Sequence, residues 1–257
     1  MRFVAYIFPI FCSILFAAES DLAKHEPAPE NTVAVQPEEK AEEKPAARPE
    51  ASVKKLADGT MQIGDIIFDP KTRQVRVPCT VNMNEGLLEF AVVHENGKIH
   101  ESLLITKASA LHINIAMKLL RYVASEELYA IEKERGVLSD QFPEVEEKVR
   151  KAARVSLSIE WQHEGKAKKV PISDWIMHTR TTKPMSTEPW VYGGSMMYEG
   201  HFVAEQNGDI AAIFVSRGSL FLYPGKDNSN DEMWLANTKR IPPQGTSVFF
   251  LIEPSKL

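Results

Sequence analysis

Between residues 63 and 106 apolar and polar side chains alternate with a period of two, the mark of half-buried strands. Four strands are predicted there, at 63–68, 74–81, 87–94 and 98–106. Asp69-Pro70-Lys71 and Glu95-Asn96-Gly97 supply turn chemistry between them, the second with a glycine where a hairpin needs positive φ. The four strands therefore read as an antiparallel meander. The period then changes. Ala108, Leu111, His112, Ile115, Ala116, Leu119, Leu120 and Val123 recur at three- and four-residue spacing and make one helical stripe, with His112 its single polar member. Ser125 can cap a second helix, with Glu126 and Glu127 in its first turn and Gly136 at its end. Strands return at 153–163, at 168–172, after Trp190, at 211–215 and at 248–252. The expected fold is α+β: one antiparallel, strand-rich domain with one or two packed helices, spanning residues 56–257.

The chain upstream has a different texture. Arg2, the apolar run 3–16 and Ala17-Ala18-Glu19-Ser20 have the layout of a secretory signal peptide over residues 1–20, with cleavage after Ala18 or Ser20. The run falls short of the roughly 18–20 apolar residues of a membrane span, so no span is expected in the mature chain. Phe11, directly before Cys12, is too bulky for a lipid-attachment site. Residues 21–55 hold five of the 16 prolines and no aromatic side chain, which predicts a disordered linker. Pro37, Pro45 and Pro49 interrupt any helix that its Ala, Glu and Lys would favour. The expected location is periplasmic or extracellular. Cys12 leaves with the signal peptide, so Cys79 remains as a single thiol without an internal disulfide partner. It shares a strand face with Val75, Val77 and Val81, which predicts a buried, unreactive thiol.

Composition narrows the function. The 257 residues are 44% apolar and 25% charged, ordinary for a soluble globular chain. Thirty basic against 35 acidic residues leave a net charge of −5, which argues against a nucleic-acid partner. Two cysteines cannot hold a four-thiolate iron–sulfur cluster, and no cofactor is predicted. Gly-x-x-x-x-Gly-Lys-Ser/Thr, Gly-x-Gly-x-x-Gly, His-Glu-x-x-His and Gly-x-Ser-x-Gly are all absent from the sequence.

Two stretches can carry chemistry. The first is polar: His94-Glu95, then His100-Glu101-Ser102, then His112 on the predicted helix. If the helix folds back on its sheet, His100, His112 and Glu101 form a metal set. Alternatively His100 and Ser102, at i and i+2 on one strand face, act as base and nucleophile. The plain alternative is a pair of core histidines with satisfied hydrogen bonds. The second stretch is Trp190-Val191-Tyr192-Gly193-Gly194-Ser195, where Trp190 and Tyr192 can stack on a ligand around a glycine turn, or simply form hairpin core. The segment 223–232 is acidic and polar, but its spacing does not match a calcium-binding loop.

Gly97-Lys98-Ile99-His100-Glu101-Ser102-Leu103-Leu104, the helix through His112, Trp190-Val191-Tyr192-Gly193-Gly194-Ser195, Gly208-Asp209-Ile210 and the segment 234–246 together resemble the YdjY-domain family of exported bacterial proteins. The chain departs from the pattern at Arg121-Tyr122, where a glycine is expected to end the first helix. The resemblance implies export and an α+β domain and carries no mechanism. The resulting expectation is a non-catalytic binding or scaffold module of the cell envelope, with an envelope protein or glycan as partner. The alternative is a metal-binding protein or hydrolase-type enzyme centred on His100, Glu101, Ser102 and His112. No pattern in the sequence specifies an oligomeric state.

Overall fold

The computed structural model describes residues 52–134 and 137–255. The expected signal peptide and residues 21–51 of the expected linker lie outside the described residues, while the last three residues assigned to that linker form the first strand. Twelve strands make the main sheet: β1 Val53–Lys55, β2 Met61–Ile63, β3 Ile66–Phe68, β4 Val75–Val81, β5 Phe90–His94, β6 Ser102–Thr106, β7 Arg154–His163, β8 Lys166–Pro171, β9 Trp190–Tyr192, β10 Asp209–Ala212, β11 Phe221–Leu222 and β12 Ser247–Pro254. Strands β4, β12, β7, β9, β11, β10, β5 and β6 pair in that order. Strand β6 then returns to β4 through Thr80 opposite Ile105 and Val81 opposite Leu104, closing an eight-stranded barrel. Strands β1–β3 extend the sheet from β4, and β8 flanks β7.

Side-chain alternation builds the interior. Val75, Val77, Cys79 and Val81 of β4, Val248, Phe250 and Ile252 of β12, and Val155, Leu157, Ile159 and Trp161 of β7 are all buried. Register stacks them in layers, with Val77 opposite Phe250 opposite Ile159, and Val75 opposite Ile252 opposite Leu157. The rings of Tyr192, Phe221 and Phe250 are fully buried at centroid spacings of 5.7 and 6.2 Å. The barrel interior is therefore a packed core, each such ring contributing about 1.5–3 kcal/mol through burial.

Pro78 explains how one strand can serve three partners. Val81 donates its N–H to Thr246 and accepts from Gly245, so the odd residues of β4 direct their backbone groups toward β12. The even residues face the other way: Arg76 meets Ile67 of β3 and Thr80 meets Ile105 of β6. Pro78 sits between them, opposite Phe249 of β12 on one edge and at a fork on the other, where neither β3 nor β6 pairs with β4. Its missing N–H therefore costs nothing there. Its carbonyl accepts from Thr106 Oγ1 at 2.6 Å.

Closure of the sheet overturns the α+β expectation. The protein is mostly β, and the helices among the described residues are short: α1 Ala110–Leu119, α2 Glu147–Ala152 and α3 Val203–Asn207. The antiparallel meander is also corrected, because β5 and β6 run parallel, with Phe90 opposite Ser102 and His94 opposite Thr106. The chain leaves β5 and returns alongside it before β6 starts, with Lys98 Nζ 4.9 Å from the Phe90 ring.

Helix α1 starts where Ser109 Oγ accepts from the His112 N–H. It buries Ala110, Ile113, Ala116 and Met117, a face rotated from the predicted stripe, and leaves Leu119 53% exposed. Arg121 supplies what a glycine usually does. At φ 59 it ends α1, its N–H bonding Lys118 O while Tyr122 N–H bonds Met117 O. The side chain of Arg121 is exposed, so Arg121→Gly is expected to raise stability by about 1 kcal/mol, measured by urea unfolding. The second helix predicted from Ser125 does not form. Ser125 Oγ bonds the Glu127 carboxylate, and Leu128 and Tyr129 spread over the outer wall against Phe90, Val191, Ala212 and Leu222. That packing outweighs the local helical preference.

Candidate functional site

The return between β5 and β6 is held by two glycine backbones. A Cβ on Gly97 would meet Asn207 O at 3.0 Å, and one on Gly208, at φ 76, would meet Gly97 Cα at 3.0 Å. Gly97 is thus required for close approach to the start of β10, rather than for the positive φ expected of a hairpin. This contact gathers Glu89, Lys98, His100, Glu101 and Asp209 on one side of the barrel wall. Lys98 Nζ lies 3.6 Å from Glu101 Oε1, and His100 Nε2 lies 3.7 Å from Glu101 Oε2. Burial, reinforced by the Glu101 carboxylate, raises the Glu89 carboxyl. Burial pushes Asp209 up to about 6, with Lys98 and Asn207 opposing and Glu101 and Glu89 adding to it. Asp209 is only 4% exposed, and its Oδ1 has no hydrogen-bond partner. A carboxyl held near neutrality is a common feature of functional sites.

The predicted polar cluster is divided by the same topology. His100 lies on a single 3-10 turn, Ile99–Glu101, and its side chain is 79% exposed. Ser102 opens β6 fully buried, its hydroxyl donating to Lys98 O at 2.6 Å. It does not share a strand face with His100, because the turn replaces the strand. His94 Nδ1 accepts from the Asn96 N–H. His112 is buried on α1 against Gly64, at whose position a Cβ would lie 2.6 Å from Nδ1. Its Nε2 has no partner. Among the described residues no group of three or more His, Cys, Asp or Glu side chains is placed to hold a metal ion. Glu89, Lys98 and Asp209 join His100 and Glu101 through folding alone. Their one sequence signal is Asp209, a carboxylate leading the apolar run Ile210-Ala211-Ala212.

The proposed stacking platform is also corrected. Trp190 and Tyr192 are core residues of β9, with Tyr192 bonded to Asn114 Oδ1. Gly193 and Gly194 are buried, and Ser195 Oγ donates to Gly218 O at 2.6 Å while accepting from the Ala204 N–H. Neither ring presents a face to a ligand, because the aromatic positions of β9 point into the barrel.

Open space lies instead at the β4 fork. A groove of about 700 Å3 crosses the outer faces of β6, β4, β12 and β7. Pro78, Ile105 and Phe249 give it apolar walls, and Phe249 is 39% exposed. The Arg76 guanidinium lies 4.4 Å over the Phe249 ring and 2.8 Å from Glu160 Oε1. Lys107 and Glu95 pair across 3.8 Å on another side. Cys79 also borders the groove, but burial pushes its thiol up to about 12, so it stays protonated and a poor nucleophile. Alternation in β4 and β12 makes these wall residues outward-facing, whereas their convergence depends on the fork.

No helix of the described residues is long and apolar enough to cross a membrane. No curated protein and no solved structure matches the chain. The YdjY-domain family model matches residues 66–253, from the third strand to the last, and the chain belongs to that family.

Proposed function

We propose that this protein is a non-catalytic binding module of the cell envelope that holds its ligand in the groove at the β4 fork. The groove carries the reading: about 700 Å3 of open space suits a small ligand or a short polymer segment. Support also comes from the packed interior of the barrel and from the burial of Ser102 and His112. The apolar ring of Phe249 between two ion pairs favours a ligand with both apolar and hydrogen-bonding groups, such as an envelope glycan or an extended stretch of an envelope protein. Pro78 removes the backbone donor at the fork, so recognition depends on side chains rather than on an added strand.

The test is a panel of envelope glycans and peptides against the full chain, with Phe249→Ala beside it. Phe249 points outward, so its loss leaves the barrel interior intact. At least one panel member is expected to bind, about tenfold more weakly to the variant. No binding above background, or equal binding to both proteins, would overturn the assignment.

A further inference from the structure

A second cleft lies at the opposite end of β7. Arg154 begins this strand, six residues before Glu160, or roughly 20 Å away along a strand. The cleft has a volume of about 490 Å3 and is bordered by Glu127, Leu128, Glu144, Arg150, Arg154 and neighbouring prolines. Its polar wall is organised around one carboxylate. Glu127 Oε1 lies 2.6 Å from Arg154 Nη2, and Glu127 Oε2 lies 3.4 Å from Arg150 Nε. Ser125 Oγ also bonds Oε2, at 3.2 Å. Glu127 therefore has its oxygens committed, and two guanidinium groups share it. Arg154 Nη1 remains buried without a hydrogen-bond partner. A charged donor in that state carries a desolvation cost that an incoming acceptor would remove.

We infer that this cleft binds a carboxylate, seated between Arg154 Nη1 and the exposed end of Arg150. A guanidinium fork matches the two oxygens of a carboxylate. Glu127 and Glu144 offset the two arginines, so a dianion such as phosphate would meet repulsion from both. Leu128, Pro143, Val145 and Pro224 line the rest of the cleft, which suits a short apolar group attached to the carboxylate. That group is a free small acid or the C-terminal end of a peptide.

The experiment titrates the full chain with acetate, N-acetyl-Ala-Ala and N-acetyl-Ala-Ala amide while following the arginine side-chain NMR signals. Both acids are expected to shift the Arg154 and Arg150 signals, and the amide is expected to bind at least about tenfold more weakly than its acid. Tighter binding of the peptide acid than of acetate identifies a peptide C-terminus as the source; equal binding identifies a small acid. Arg154→Lys risks exposing Glu127 and misfolding, so Arg150→Gln, on the surface of α2, serves as the variant. It is expected to weaken the peptide acid about tenfold while the thermal midpoint stays constant. Equal binding of acid and amide, unshifted Arg154 signals, or unchanged affinity in Arg150→Gln would overturn the inference.

Discussion

Replacing Gly208 with valine is expected to cost at least about 3 kcal/mol, a large share of the roughly 5–15 kcal/mol that holds a domain of ordinary stability folded. Two independent penalties combine. The backbone at Gly208 has φ 76, a region that β-branched residues strongly avoid. The new Cβ would also stand 3.0 Å from Gly97 Cα and 3.1 Å from His94 Cβ. The first of these is backbone and cannot swing aside. Relief would require separating the β5 return from β10, whose Asp209 pairs with Val93 next to this contact. Gly208→Ala keeps the φ penalty and the Cβ contact but lacks the extra methyl groups, so it is expected to fall between wild type and valine. Urea unfolding measures both. A valine variant within 1 kcal/mol of wild type would mean that the two segments are free to separate and do not fix the position of Glu101.

The strands that dominate the barrel are legible because each carries its own alternation. Val75, Val77, Cys79 and Val81 announce one face of β4, and Val248, Phe250 and Ile252 announce one face of β12. Closure is not legible, because it depends on pairings such as Val77 with Phe250, far apart in sequence, which leave no local trace. The Glu95-Asn96-Gly97 turn shows why local chemistry misleads. The same residues suit a hairpin, and the parallel return is decided by the approach of Gly97 to Gly208, more than a hundred residues later. The second helix fails for a related reason: Leu128 and Tyr129 find a better surface on the barrel wall than a free-standing helix would give them. Helix α1 is legible in its existence but not in its face, since Ile113 and Met117, rather than Leu119 and Val123, enter the core.

The candidate sites follow the same division. His100 and Glu101 stand out in sequence as a polar cluster and do end up adjacent. Ser102 and His112 belong to the same sequence pattern, yet strand pairing seals one and helix packing the other. The groove residues Arg76, Phe249 and Glu160 come from three strands, and their outward positions are predictable one at a time. What makes them a site is the fork at Pro78, a consequence of which strand pairs with which.

Asp209→Asn is expected to stabilise the protein at neutral pH and to have little effect in acid. Burial raises the Asp209 carboxyl from the ordinary 3.8 to about 6, so the folded chain holds this proton more tightly than the unfolded chain does. Between those values the folded state binds more protons than the unfolded state, and stability falls as pH rises. The loss begins near pH 4 and is complete above about pH 6, where folding must bury an ionised carboxylate whose Oδ1 has no partner. A difference of this size corresponds to roughly 2–3 kcal/mol. Asparagine keeps the shape and removes the charge. The variant is therefore expected to unfold at higher urea than wild type at pH 7.5, with the advantage shrinking toward zero by about pH 4. Glu89 is raised in the same direction and remains in the variant, so the variant's curve is expected to be flatter than that of the wild type rather than to lose its slope entirely. Lys98 opposes the effect at Asp209, and Lys98→Met is expected to widen the gap between the proteins at pH 7.5. The decisive observation is the pH dependence of the difference. An equal gain at pH 4 and pH 7.5 would assign the effect to packing, and a loss at neutral pH would mean that the ionised carboxylate has a partner that stabilises the fold.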